Sequence, residues 1–134
     1  MQTKRTSIKL LIVITSLVVL SCINHASAQN KNQMVRLAKL VIDSAQLENY
    51  KAALKEEIET SVRVEPGVKT LYAVSEKNNP TRITILEIYA DTIAYKSHLQ
   101  TPHFIKYKTG TQDMVKSIEL VETIPLVPDM KIKQ

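Results

Sequence analysis

Apolar residues change their spacing several times along the chain, and each change marks an element. From Val35 to Ile42 aliphatic side chains dominate an imperfect alternation, which predicts a strand, and Asp43-Ser44 stops it and offers a helix cap. From Ala45 the period lengthens. Leu47, Tyr50, Leu54, Ile58 and either Ser61 or Val62 recur at helical spacing, with Lys51, Lys55, Glu56, Glu57 and Glu59 mostly on the opposite side. Glu65-Pro66-Gly67 ends this amphipathic helix, because proline cannot continue the ladder and glycine takes the positive φ that a tight turn often needs. Val68 to Ser75 alternates as a second strand, Lys77-Asn78-Asn79-Pro80 is turn material, and Arg82 to Ala90 is a third strand. The third strand sets Ile83, Ile85, Glu87 and Tyr89 on one face and Arg82, Thr84, Leu86 and Ile88 on the other, so both faces call for cover.

Asp91 caps a short helix from Thr92 to about Leu99, and Thr101-Pro102 starts another with a capping hydroxyl and a proline at the first helical position. A break therefore falls near Gln100. Phe104, Tyr107, Lys108, Thr111, Met114 and Val115 follow at helical spacing, although Gly110 costs about 1 kcal/mol relative to alanine and is a possible early end. Ser117 to Ile124 is the last strand, and Pro125 and Pro128 close it. The order β-α-β-β-α(α)-β fits two split β-α-β units with right-handed crossovers. It predicts an α+β, ferredoxin-like domain: a four-stranded antiparallel sheet with helices on one face. Leu86 and Ile88 then form part of an uncovered apolar face, for which a second copy of the chain is the simplest cover, giving a homodimer formed sheet to sheet.

The 134 residues leave room for one domain, at roughly 100 to 200 residues each. With 44% apolar and 23% charged residues the chain has the make-up of a folded domain and not of a disordered one. Its first 28 residues have a basic start at Lys4, Arg5 and Lys9, an apolar run from Leu10 to Leu20, and small residues at Ala26-Ser27-Ala28, the three parts of a secretory signal. The apolar run is too short for a comfortable membrane span, which takes about 20 residues. Without this segment 15 basic residues face 13 acidic ones, so the formal charge falls from +5 to +2 and a nucleic-acid partner is not indicated. The expected division is a signal peptide over 1–28, a linker over 29–34, the domain over 35–126 and a tail over 127–134. The product would be periplasmic. The alternative is a membrane-anchored lipoprotein, because Val19-Leu20-Ser21-Cys22 is similar to a lipidation box around the only cysteine. Either way no free thiol remains, which excludes thiol catalysis and cysteine-bound zinc.

Glu65-Pro66-Gly67-Val68, Glu87-Ile88-Tyr89-Ala90-Asp91, Ala94, His98 and Thr101-Pro102-His103-Phe104 resemble the antibiotic biosynthesis monooxygenase (ABM) domain, a family of dimeric ferredoxin-like proteins, from about Val35 to Leu126. The block from Glu87 to Phe104 is the most specific. Within the family the pattern is most similar to small bacterial quinol monooxygenases and to a related isomerase of a phosphorylated autoinducer. The chain has no Trp, and its first strand has no Asn, which sets it apart from the haem-degrading and aromatic-polyketide branches as that resemblance defines them. The position of the haem-ligating His of the degrading branch falls near Lys108, whose ammonium cannot bind iron. Family membership alone does not choose a reaction.

The residues themselves offer acid-base chemistry. Glu87 lies in phase with Ile83 and Ile85, so it either works as an acid or base with its protonated form favoured by apolar surroundings, or pairs with a cation such as Lys69 or Lys39. His98, near the end of the short helix, can move a proton near neutrality, the alternative for it and for His103 being a capping or surface residue. His103, in the first turn of the next helix, is a poorer base there but can donate a hydrogen bond. Tyr89 offers a hydroxyl beside them. Tyr89 and Tyr95 offer ring surface for a flat substrate unless they fill the core, Phe104 joins them, and Lys106 could hold an anionic oxygen unless it belongs to a solvated face. Two glycines in the whole chain rule out a nucleotide-binding loop, and three histidines, one of them His25, make a His-rich metal site weak.

No cofactor is therefore expected. The function that follows is a cofactor-free monooxygenase in which His98, with Glu87 or Tyr89, deprotonates a small quinol or phenol that then reacts with O₂. His103, Tyr95, Lys106 and Phe104 would bind the substrate. The alternatives are a proton-transfer isomerase of a small carbonyl compound and a non-catalytic small-ligand-binding envelope protein.

Overall fold

The computed structural model describes residues 32–126. The expected signal peptide, Cys22 and the tail lie outside the described residues. Strand β1 (Met34–Ile42) alternates as the sequence predicts, with Arg36, Ala38, Leu40 and Ile42 buried. Asp43 stops it: its carboxylate accepts from the Ala45 amide at 2.9 Å and caps a single 3₁₀ turn, Ser44–Gln46. Helix α1 (Leu47–Val64) follows and buries Tyr50, Leu54, Glu57 and Ser61. Ser61 takes the inner position of the last turns and Val62 remains 49% exposed. Glu57 was expected on the solvent side. It is buried because it falls seven residues after Tyr50 and three after Leu54, in phase with the inward stripe.

The Glu65-Pro66-Gly67 turn ends α1 as expected, but Gly67 does not have a positive φ. Its role is close approach. A Cβ at Gly67 would lie 2.6 Å from Ala94 Cβ, and its carbonyl accepts from the Ala90 amide at 2.8 Å. Strand β2 (Val68–Glu76) turns at Lys77-Asn78 into β3 (Asn79–Tyr89), so the turn is two residues shorter than the polar run suggested. Helix α2 (Thr92–His98) is capped by Asp91, which accepts from the Ala94 amide at 2.7 Å. Helix α3 (Pro102–Thr111) is capped by Thr101 and runs through Gly110 before a 3₁₀ turn at Gln112–Met114. Val115 therefore opens strand β4 (Val115–Thr123) and does not continue the helix.

All strand pairings are antiparallel, in the order β2-β3-β1-β4, with β1 and β3 in the centre. This is the ferredoxin-like α+β sheet that the element order predicts. Its helix-facing side forms the core, where Ala38, Leu40, Ile42, Ile83 and Ile85 pack against Tyr50 and Leu54. Each of the buried Leu and Ile side chains contributes roughly 1.5 to 3 kcal/mol. On the opposite side the register aligns Tyr72, Leu86, Leu37 and Val121 in one apolar row across all four strands. Among the described residues no helix is long and apolar enough to cross a membrane.

Candidate active site

Three local devices bring the site together. The turn after α1 presents Glu65, the C-terminal end of α2 presents His98, and the restart at Thr101-Pro102 presents His103 and Phe104. Thr101 fixes the break by donating its hydroxyl to the His98 carbonyl at 2.8 Å while accepting from the Phe104 amide. Two imidazoles on successive helices thus converge on one carboxylate oxygen. His98 Nδ1 lies 3.0 Å and His103 Nε2 2.6 Å from Glu65 Oε1. His98 is 2% exposed, wedged between the rings of Tyr89 and Phe104 at centroid distances of 5.4 and 4.7 Å. Its other nitrogen, Nε2, lies 3.7 Å from Glu57 Oε1.

The two carboxylates of this cluster differ in acidity. Burial raises the Glu57 pKa and outweighs the opposing effect of the Ser61 hydroxyl, which donates to Oε1 at 2.7 Å, and of the nearby imidazoles. At Glu65 burial acts in the same direction but is overcome by hydrogen bonds from His103 and His98, so its pKa is lowered. Glu57, His98 and His103 each bring one polar atom within 4.8 Å of the others. Here His98 Nδ1 and His103 Nε2 are engaged with Glu65, which makes the arrangement a hydrogen-bonded acid-base cluster.

A second polar group lies beside it on the sheet. Arg36 of β1 faces Glu87 of β3 in register, and its Nε and Nη2 donate to Glu87 Oε2 at 3.1 and 2.7 Å. Nη1 donates to the Tyr95 hydroxyl at 2.7 Å, and the guanidinium carbon sits 4.4 Å from the Tyr95 ring centre. Burial works against the Arg36 charge, yet Glu87 and Tyr95 outweigh it and its pKa is raised. The Tyr89 hydroxyl donates to Glu87 at 3.2 Å, and burial together with the Glu87 charge raises the Tyr89 pKa.

Between sheet and helices lies a cavity of about 430 Å³ that both polar groups border. Leu40, Leu54, Ile58 and Ile85 supply aliphatic wall, Tyr89, Tyr95, His98, Phe104 and Tyr107 supply rings, and Ile118 and Leu120 of β4 line the outer side. Such a space, mainly apolar with a few polar groups in its lining, suits a small flat molecule.

Of the residues singled out from sequence, Glu87, Tyr89, Tyr95, His98 and Phe104 line this cavity. Glu87 is not an unpaired carboxylate, and its cation is neither Lys69 nor Lys39: Lys69 donates to the Pro66 carbonyl and Lys39 pairs with Glu119. Arg36 on the adjacent strand is the partner, which argues against Glu87 as the free base. His103 lies outside the cavity, on a smaller recess of about 160 Å³ with Glu56, Glu57 and Lys106. Lys106 is also outside, on the solvated face, where it pairs with Glu56 at 2.6 Å, and Lys108 borders the cavity instead. Sequence reasoning missed Arg36 and Glu57 as site residues. Their signal was phase, since each is a charge at a position where the period demands an inward side chain. Glu65 was noted only as part of a turn.

Comparison with known proteins agrees with this architecture. The antibiotic biosynthesis monooxygenase family model matches residues 34–110. A candidate antibiotic biosynthesis monooxygenase from Bacteroides thetaiotaomicron VPI-5482, known from its crystal structure, is 60% identical with a TM-score of 0.77, over 78% of this chain and 99% of its own. A candidate monooxygenase from Lactobacillus acidophilus NCFM is 33% identical with a TM-score of 0.68, over 69% of this chain and 44% of its own. A protein of Nitrosomonas europaea, 22% identical over 69% of this chain and 98% of its own, shares the fold at a TM-score of 0.66. Among curated proteins no sequence matches. With more than half its length matched by the family model and a 60% identical structural relative, the chain belongs to the antibiotic biosynthesis monooxygenase (ABM) family.

Proposed function

We propose that this protein is an exported, cofactor-independent monooxygenase that oxidises a small quinol or phenol, and that it works as a homodimer. The observation that carries the proposal is His98: a buried imidazole bordering an aromatic-lined cavity, with Nδ1 held by Glu65 so that Nε2 is the nitrogen left for a substrate proton. A carboxylate behind an imidazole fixes its tautomer and stabilises the cation formed on proton uptake. Arg36 and Tyr95 set the polarity of the adjoining wall, and the rings of Tyr89, Tyr95 and Phe104 match a flat substrate.

In this scheme the substrate O–H bond breaks as the Nε2–H bond of His98 forms. The anion is electron-rich enough to pass one electron to O₂, the two radicals combine, and the resulting hydroperoxide eliminates water. One hydroquinone and one O₂ give one hydroxyquinone and one water, so no external reductant is needed. The protein supplies a base, about 10²- to 10⁴-fold in rate, and a site shielded from bulk water. Export is supported by the three-part segment over residues 1–28, with a lipid anchor at Cys22 as its alternative. The homodimer is supported by the row Tyr72-Leu86-Leu37-Val121 on the sheet face opposite the core, an apolar band in which Tyr72 is exposed and Leu37, Leu86 and Val121 are half-buried among the described residues.

Oxygen uptake with reduced menadione or a simple hydroquinone tests the activity. The wild type should consume O₂ and His98→Ala should lose at least about 100-fold, whereas equal rates in the two proteins would remove His98 as the base. Proton exchange beside a carbonyl without oxygen consumption would assign an isomerase instead. Ligand-dependent thermal shifts without turnover would assign a binding protein.

A further inference from the structure

The two imidazoles face different compartments while sharing one carboxylate oxygen. His98 borders the inner cavity, whereas His103, with its side chain 18% exposed, borders the outer recess. Both lie within hydrogen-bond distance of Glu65 Oε1, and in the described structure neither meets another ionisable group as closely. A single carboxylate carries one negative charge and fully balances one imidazolium. We infer that His98 and His103 hold one imidazolium charge between them through Glu65, so that a proton taken up at His98 from the cavity is matched by a proton released from His103 to solvent.

The other groups facing the pair do not undo this coupling. On α1, Glu57 faces His98 Nε2 at 3.7 Å, and its burial favours the uncharged form, so it is a poor source of a second negative charge. From β3 and α3, Tyr89 and Phe104 present rings. Across the recess from His103, Lys106 is already paired with Glu56 at the surface. A second imidazolium in the cluster would thus be poorly compensated, and proton binding at the two rings is mutually unfavourable.

Applied to the reaction proposed above, on which this step rests, the coupling removes the charge that proton abstraction would leave in the buried site. The substrate O–H breaks and His98 Nε2–H forms while His103 Nδ1–H breaks to water. When the hydroperoxide later loses hydroxide, His98 returns its proton to make water and His103 is reprotonated. The proton count closes to zero, as the overall stoichiometry requires. His103 is then a positioning residue, not a group that touches substrate.

The coupling can be read without any substrate, by following each ring through a pH titration with nitrogen-15 NMR of the full protein. In the wild type each ring should titrate in two steps, because protonation of either shifts the other. In His103→Gln, which keeps a hydrogen-bond donor for Glu65 but cannot carry the proton, His98 should titrate in one step with roughly tenfold higher proton affinity. Glu65→Gln should lower the proton affinity of both rings, because it removes the charge that stabilises either imidazolium. Single, independent curves in the wild type, or an unchanged His98 curve in His103→Gln, would overturn the inference. If His103→Gln does not fold, the wild-type curves alone still decide. Should the wild type fail to oxidise a quinol, the proposed reaction falls while the titration still judges the coupling. Where turnover is observed, the acidic limb of the kcat profile should move with the His98 titration in His103→Gln.

Discussion

Arg36 and Glu87 meet across the two central strands, with Arg36 Nη2 2.7 Å from Glu87 Oε2 and both side chains about 10% exposed. Each justifies the burial of the other. Arg36→Ala would strand a buried carboxylate and cost about 3 to 5 kcal/mol, whereas the double substitution Arg36→Met with Glu87→Leu should recover most of that loss. Urea denaturation of the two variants provides the measurement, and equal losses would show that the pair is not the cause.

Gly67 tests a different kind of constraint, since it is space and not backbone conformation that requires glycine. Gly67→Ala should cost about 1 to 3 kcal/mol by overpacking against Ala94. Ala94→Gly should relieve the clash, so a double-mutant cycle should show a strong favourable coupling that distant pairs lack.

Glu57 and Glu65 should give opposite pH signatures. The raised pKa of Glu57 makes its stabilising contribution greatest below the ordinary carboxylate value of about 4.3 and lost as pH rises through the higher folded value. Glu57→Gln, which can still accept from Ser61, should therefore raise the melting temperature near pH 7 and lose its advantage near pH 4. The lowered pKa of Glu65 works the other way: its contribution is present above about 4.3 and is lost as pH falls through the lower folded value. Glu65→Gln should be destabilised near pH 7 and approach the wild type in acid. Thermal melts across this range separate the two.

The buried hydroxyls of Tyr50 and Tyr107 lie 2.6 Å apart. Burial raises both pKa values, that of Tyr50 to about 12. An unfolded tyrosine ionises near its ordinary value of about 10, so the wild type should lose stability as pH rises from about 10 toward 12. Tyr107→Phe should cost about 1 to 3 kcal/mol near neutrality by leaving the Tyr50 hydroxyl without its partner. Phenolate absorbance followed alongside circular dichroism would show whether ionisation and unfolding coincide.

The proposed dimer depends on the sheet face opposite the core. Leu86 lies in the apolar row between Tyr72 and Leu37, so Leu86→Lys should convert a species of twice the protomer mass into monomer in light scattering. A monomeric wild type would remove the homodimer from the proposal.

The sequence made the skeleton legible because strand and helix periods are generic consequences of burying one face. Asp43, Asp91 and Thr101 mark their caps by local chemistry and all three make the expected bonds. Where residues followed those periods, their placement was legible: His98, Tyr89 and Phe104 point inward and border the cavity. Lys106 does not, and its position betrays it, since Phe104, Tyr107, Lys108 and Thr111 form the inward stripe of α3 while Lys106 falls between them. Pairings were harder. That Glu87 would find Arg36, rather than a lysine, depends on strand order and register, which local composition does not encode. Glu57 was hidden by its own chemistry, because a glutamate amid other charged residues is taken for solvent-facing unless its phase is weighed first.

The outer cavity wall has a consequence of its own. Ile118 and Leu120 sit on an edge strand, 58% and 51% exposed, and β4 contributes none of the residues that handle protons. Changes there can retailor the shape of the guest that is admitted while the acid-base apparatus stays intact, so selectivity and reactivity are separable traits in this protein, each open to drift or to engineering without the other.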